Sequence, residues 1–234
     1  MTFTKVESHE KFARVYWIVF SDGGKKLATQ NLVPGQCIYG EKLVQYGDKE
    51  YRLWDPYRSK LAAAILRGLR NFPIKAGSAI LYLGVATGTT ASHISDIIGL
   101  NGRIYCIDFA ERVMRDFINN VCNYRSNMLP VLADARNPES YKMVMEKVDS
   151  IYCDIAQPEQ AKVLADNAKV YLKPHGKTIL LIKARSIDIT KSPSEIFKRE
   201  IAVLEDQYLK KIESVELEPY DKAHSLILSE YIPK

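Results

Sequence analysis

The hydrophobic pattern changes period near residue 55. Upstream of that point, "RVYWIVF" is β-branched and aromatic, "SDGG" supplies a turn, and "KLVQYGDKEYRLW" reads as two short strands around Gly47 and Asp48. Residues 1–54 are therefore expected to form a small antiparallel β domain. At "DPYRSKLAAAILRGL" the spacing becomes helical: Leu61, Ile65, Leu66 and Leu69 share a face, with Asp55 as the expected N-cap and Pro56 at the first helical position.

From there the chain alternates. Apolar runs at Ala79 to Leu83, Ile104 to Asp108, Leu129 to Ala133, Val148 to Cys153 and Thr178 to Ile182 predict strands. Helices are expected between them, near Thr90 to Ile98, Glu111 to Asn123, Ser140 to Lys147 and Glu159 to Leu172. This order implies an α/β fold over residues 55–234, a parallel sheet covered by helices on both faces.

The C-terminal part departs from that rhythm. After a long helix, about Ser194 to Leu209, two strand-like runs, Ile212 to Leu217 and Ser225 to Tyr231, are joined only by "EPYDKAH". A parallel pair needs a crossover of about a dozen residues or more, so this link must make an antiparallel hairpin. If Ile212 to Leu217 runs parallel to the earlier strands, His224, which opens the last strand, lies at the carboxyl edge of the sheet, where open α/β sheets bind ligands.

The first core strand leads into the turn "YLGVATGTT". Gly84 and Gly88 can adopt backbone angles closed to other residues, letting the chain pass close to a ligand. The dinucleotide fingerprint would need glycine at Ala86 and Thr89, so a pyrophosphate is disfavoured, and with it a nicotinamide-dependent dehydrogenase. A ligand with an amino-acid part and a nucleoside but no diphosphate fits better, as S-adenosylmethionine does. Asp108 and Phe109 end the next strand, 24 positions after Gly84, where an acid grips a ribose diol and a ring can lie along adenine. Further strand ends carry Asp134 with Ala135, and Asp154 to Gln157. Three acids at successive strand ends exceed what turn chemistry alone explains. "GKT" at Gly176 to Thr178 is no phosphate loop, because Tyr171 stands where the upstream glycine belongs, and "KPHGKT" reads as a helix-to-strand turn.

Four residues reach the same edge by separate routes. Asp154 ends the fourth core strand, Lys183 the fifth, His224 begins the last, and Lys60 lies early in the first helix. Asp154 between two ammonium groups would keep its charge and fix the lysines. Two roles for the lysines stay open: a neutral amine that takes a proton from a sugar hydroxyl, or a charge that only orients that hydroxyl.

Composition sets outer bounds. At 234 residues, 47% apolar and 26% charged, the chain reads as globular. No apolar run approaches the ~20 residues of a membrane helix, and "MTFTKVESHEKFARV" is too charged for a signal peptide, so a cytoplasmic protein is expected. Cys37, Cys106, Cys122 and Cys153 show no metal or redox spacing, and Cys106 and Cys153 are expected to be buried. The net charge of +5 permits an anionic partner, to which Arg58, Arg185 and Lys191 near the proposed edge are candidate contacts.

Five motifs in order, "YLGVATGTTASHISDIIG", "DARNPESY", "VDSIYCDIAQPEQ", "LKPHGKTILLIKARSID" and "LEPYDKAHSLIL", resemble fibrillarin, the RNA 2′-O-methyltransferase family, in its short archaeal-like form. The resemblance implies a class I S-adenosylmethionine-dependent methyltransferase fold, Rossmann-like, with a seven-stranded sheet whose last strand is antiparallel, and a small N-terminal β domain. It implies S-adenosyl-L-methionine as cofactor, contacted by Thr89, Thr90, Asp108, Phe109, Asp134, Ala135, Asp154, Ile155, Ala156 and Gln157 beside Gly84. It implies a Lys60, Asp154, Lys183 and His224 tetrad, and no metal. It further implies box C/D particles in which a guide RNA selects rRNA or tRNA targets, with a Nop-domain scaffold protein and a kink-turn-binding protein as partners. Asp108 stands where many members have Glu, and His175 where many have Gly. The glycine-arginine-rich N-terminal tail of eukaryotic members is missing. Methylation of a protein glutamine, or a non-catalytic place in an RNA particle, stay open on the residues alone.

Overall fold

The computed structural model describes residues 3–233. The N-terminal part is one antiparallel sheet of β1 (Phe3–Ser8), β2 (Val15–Phe20), β3 (Lys25–Gln30), β4 (Leu43–Tyr46) and β5 (Lys49–Leu53), in the order β1-β2-β3-β5-β4. Its second strand is apolar almost throughout because both faces are covered. Ile18 and Phe20 pack with Ala28, Val44 and Tyr51 on one side, while Val15 and Trp17 join Leu27 and Trp54 in the main core on the other.

The rest of the chain runs α1 (Lys60–Leu66), β6 (Ala79–Leu83), α2 (Thr89–Ile98), β7 (Arg103–Asp108), α3 (Glu111–Asn120), β8 (Met128–Leu132) and β9 (Val148–Cys153). It continues through α4 (Gln160–Tyr171), β10 (Leu172–Lys183), α5 (Ala184–Ile187), α6 (Pro193–Asp206), β11 (Leu209–Glu216) and β12 (His224–Tyr231). These strands form one seven-stranded sheet, β11-β12-β10-β9-β6-β7-β8. β8, β7, β6, β9 and β10 are mutually parallel, and β12 is antiparallel to both β10 and β11. Alternate residues of the apolar strands feed opposite sides: Tyr82, Cys106 and Tyr152 face the core shared with α1, α2 and α3, whereas Leu83, Ile107 and Cys153 face α4 and α6.

Strand order reverses at β6, with β7 and β8 on one side and β9 and β10 on the other. The crevice at the carboxyl ends of β6 and β9 is the topological switch point, where open α/β sheets bind ligands.

Four local expectations need correction. Helix α1 starts at Lys60, not Pro56, because Ser59 caps it by accepting a hydrogen bond from the Ala62 N–H. Asp55 instead closes a turn, its Oδ1 accepting from the Tyr57 N–H at 2.9 Å. Residues 140–147 form no α-helix: a 3₁₀ stretch over Pro138–Val144, kinked at Tyr141, leaves Met143 97% exposed with no core to face. "KPHGKT" lies inside β10, where His175 at φ 62° and a register shift between Leu172 and Lys177 make an irregularity rather than a helix-to-strand turn. Cys106 and Cys153 are buried free thiols, as expected. No helix among the described residues is long and apolar enough to cross a membrane.

Candidate active site

A cavity of about 280 Å³ opens at the switch point. Gly84, Asp108, Phe109, Asp134, Ala135, Asp154, Ile155, Ala156 and Gln157 all line it, as do Ala86 and Arg136. The β6–α2 turn is shaped by close packing. A Cβ on Gly84, at φ 79°, would stand 3.0 Å from Ile155 Cγ2 and 3.1 Å from the Asp154 carbonyl oxygen, so only glycine lets the ends of β6 and β9 meet. Gly88, at φ 81°, is equally confined, because a Cβ there would lie 2.6 Å from Phe117 Cε2 of α3.

The acids at the strand ends are held by their neighbours. Asp108 Oδ2 accepts from the Ala86 N–H and Oδ1 from the Ala110 N–H, each at 3.1 Å. Its remaining lone pairs are free for a ribose diol. Phe109 beside it is 66% exposed, an aromatic face left open at the cavity rim. Hydrogen bonds from the Arg136 side chain and backbone hold Asp134 below the usual carboxylate range. Thr89 and Thr90 do not line the cavity. Both are buried at the start of α2, where Thr90 Oγ1 lies 2.9 Å from Ser59 Oγ at the cap of α1.

Lys60 meets Asp154 and Lys183, both of which line this cavity. Lys60 Nζ donates to Asp154 Oδ2 at 3.1 Å. Lys183 Nζ stands 2.8 Å from Oδ1 and donates to the Asp154 carbonyl oxygen at 2.9 Å. All three side chains are less than a quarter exposed, at 22, 15 and 17%, so solvent screens these pairs less than surface ones. Beneath them Tyr82 and Tyr152 stack at 4.6 Å, and burial pushes both phenols well up, keeping them neutral.

His224 joins the cluster by strand register, as the partner of Lys183 across β10 and β12. Its ring contacts none of the other three directly. Nδ1 lies 2.9 Å from Asp221 Oδ1 and 2.8 Å from the Lys222 carbonyl oxygen. Burial would raise the Asp221 carboxyl, but the His224 hydrogen bond and the charges of His224, Lys60 and Lys183 hold it below the usual carboxylate range.

A profile of the family described as Fibrillarin matches residues 6–233. The chain belongs to the fibrillarin family. A relative from Staphylothermus marinus, named fibrillarin-like rRNA/tRNA 2′-O-methyltransferase, is 55% identical over 226 residues, covering 97% of this chain and 96% of that protein. The crystal structure of Aeropyrum pernix fibrillarin, in complex with natively bound S-adenosyl-L-methionine, is similar at TM-score 0.91 and 50% identity, over 98% of this chain and 100% of that one. A crystal structure of a fibrillarin/Nop5p complex is similar at TM-score 0.84 and 38% identity, over 96% and 100% of the two chains.

Two residues of this fibrillarin-family site escaped sequence reasoning. Asp221 carried a faint signal, an acid three positions before His224 in a tight link, which is the spacing of its observed contact. Arg136 carried none, since an arginine two residues after an acid is common in surface turns.

Proposed function

We propose that this chain transfers the methyl group of S-adenosyl-L-methionine to the 2′-hydroxyl of rRNA and tRNA nucleotides chosen by a box C/D guide RNA, as the catalytic subunit of a ribonucleoprotein. The observation that carries this reading is the Asp154 carboxylate between Lys60 and Lys183, at the rim of a cavity whose other strand ends present Asp108 and Asp134. The names of the fibrillarin relatives and the S-adenosyl-L-methionine in the Aeropyrum pernix structure support it.

The residues present fit that cofactor: an acid with free lone pairs for a ribose, an exposed aromatic face for adenine, and a turn with Ala86 and Thr89 where a pyrophosphate would need glycines. When bound, S-adenosyl-L-methionine supplies an electrophilic methyl group on a positively charged sulfur. Gly84, Asp108, Phe109, Asp134, Ala135 and Ile155 to Gln157 would contact it, with Thr89 and Thr90 supporting the turn from behind. The acceptor side belongs to the tetrad. Lys60 and Lys183, pinned by Asp154, donate hydrogen bonds to ribose oxygens and hold the hydroxyl in line, an alignment that alone can supply much of a rate. His224 Nε2 offers a lone pair for the hydroxyl proton.

Base pairing with the guide chooses the nucleotide, so the protein has to recognise backbone. Residues 55–234 would form the methyltransferase domain and residues 1–54 a β domain attached to it. A Nop-domain scaffold is the proposed direct partner, supported by the fibrillarin/Nop5p complex, with a kink-turn-binding protein completing a cytoplasmic particle. Reconstitution with guide RNA, both proteins and tritiated S-adenosyl-L-methionine tests the reading. Wild type should label the target ribose, and Asp154→Ala and Lys183→Ala should not. Label in protein rather than RNA would replace it with glutamine methylation.

A further inference from the structure

A second cavity, of about 630 Å³, lies between the N-terminal sheet and the turn that precedes α1. Leu27, Leu53 and Trp54 supply one wall, and Asp55, Pro56, Tyr57 and Arg58 the other. It is lined by four bases and two acids; Lys25 pairs with Glu7 at 2.8 Å, so Lys26, Lys42 and Arg58 remain against Asp55 once the paired Glu41 is set aside. Glu41 is buried with Oε1 2.6 Å from the Arg52 guanidinium, whereas Lys42 and Arg58 have no carboxylate partner among the described residues.

The cavity also offers aromatic faces. Tyr57 is 69% exposed, far more than a tyrosine packed for stability alone. The Arg58 guanidinium lies 5.9 Å over the Tyr39 ring, an arrangement that presents a flat cationic surface. Tyr57 meets the Tyr220 ring edge-on at 5.2 Å, and Tyr220 directly precedes Asp221. Lys60 follows Tyr57 by three residues and Asp221 directly follows Tyr220, so the two rings in contact stand on the segments that also carry Lys60 and the His224 partner.

Unpaired cations beside exposed aromatic faces are how proteins hold single-stranded nucleic acid without reading its sequence. We infer that this groove seats the RNA strand flanking the methylated nucleotide, with phosphates against Lys42 and Arg58 and a base stacked on Tyr57. The inference rests on the proposed function. It assigns the N-terminal sheet a part in substrate docking, which neither the tetrad nor the cofactor cavity requires.

The test uses the reconstituted particle with a target strand extended beyond the guide-paired region. In Lys42→Glu, Arg58→Glu and Tyr57→Ala, KM for the target strand should rise about tenfold, with kcat and the S-adenosyl-L-methionine KM within twofold of wild type. The salt dependence of target affinity should flatten by about one unit of slope per cation removed. Photo-crosslinks from 4-thiouridine in the flank should map to Tyr57 and its neighbours. Unchanged KM in all three variants, with no crosslink at the groove, overturns the inference even if methyl transfer proceeds. Loss of the scaffold protein from the variant particles, with the crosslink elsewhere, overturns it in favour of a protein contact. Crosslinks at Tyr57 without any RNA methylation by wild type would leave the groove standing and remove the proposed reaction.

Discussion

Asp221 Oδ1 and the Lys222 carbonyl oxygen both face His224 Nδ1, at 2.9 and 2.8 Å. Two acceptors can share that nitrogen only if it carries the hydrogen, so in the neutral ring Nε2 holds the lone pair. The edge of the sheet thus presents two kinds of group: ammonium donors fixed by Asp154, and one ring nitrogen able to accept.

Removing the Asp221 carboxylate should loosen that tautomer. Asp221→Ala is expected to lower single-turnover methyl transfer about tenfold, equivalent to ~1.4 kcal/mol, and to shift the pH–rate profile. Asp221→Asn keeps an acceptor oxygen and should fall between it and wild type. Nitrogen-15 spectra of the His224 ring check the cause directly. An unchanged Nδ1–H signal in Asp221→Ala, with an unchanged rate, would mean that the Lys222 carbonyl suffices.

Lys183→Met keeps the length and apolar stem of the side chain but removes the charge on Asp154 Oδ1 and the bond to its carbonyl oxygen. Methyl transfer should drop by about 100-fold or more, in the range that proton transfer and positioning contribute. Calorimetric affinity for S-adenosyl-L-methionine should change only a few-fold. A large loss of affinity with an intact rate at saturation would move Lys183 from the tetrad to the cofactor wall.

Strands β6 and β9 were legible because they are buried on both faces, and the apolar runs matched them at both ends. The short link permits only a hairpin, and with β11 parallel to β10 this places His224 at the carboxyl edge of the sheet. Asp55 misled because Ser59, four residues later, offers an equal cap nearer the apolar face. The helix expected at 140–147 failed because Met143 and Val144, though apolar, face solvent. Least legible was the polar core of Thr29, Arg52, His93, Asp96 and Arg125. Its members come from distant segments, and each alone looks like a surface residue.

His93 gives that core a pH signature. It is fully buried on α2, with Nδ1 2.7 Å from Thr29 Oγ1, Nε2 2.9 Å from the Tyr39 hydroxyl, and its ring stacked on Trp54. Burial, reinforced by Arg52 and Arg125, holds the imidazole well below its ordinary value. An unfolded histidine takes up a proton below about pH 6.5, which the folded ring refuses. The unfolded state then binds more protons, so stability falls with acid from that point until the folded-state value is reached. The contribution is at most about 1.4 kcal/mol per pH unit. Urea midpoints between pH 7 and pH 5 should decline in wild type and decline less in His93→Gln. Parallel curves would place the acid sensitivity in other groups.

Asp96 decides whether the N-terminal sheet is an independent unit. Its carboxylate binds Arg52 of β5 at 2.9 Å and Arg125, after α3, at 2.7 Å, and accepts from the Leu32 N–H at 3.0 Å. Both arginines and Asp96 are fully buried, so Asp96→Ala would strand the Arg125 guanidinium away from water and leave Arg52 with Glu41 as its only carboxylate. Breaking a buried pair in this way costs about 3–5 kcal/mol. Because the carboxylate ties the first sheet to the α/β body, wild type should unfold in one calorimetric transition across residues 1–54 and 55–234. Asp96→Ala should lose that cooperativity, with the near-ultraviolet signal of Trp17 and Trp54 melting ahead of the helical signal. Two resolved transitions in wild type would instead mark the β sheet as a separately folding domain, and its groove as a surface whose position relative to Lys60 is set by other contacts.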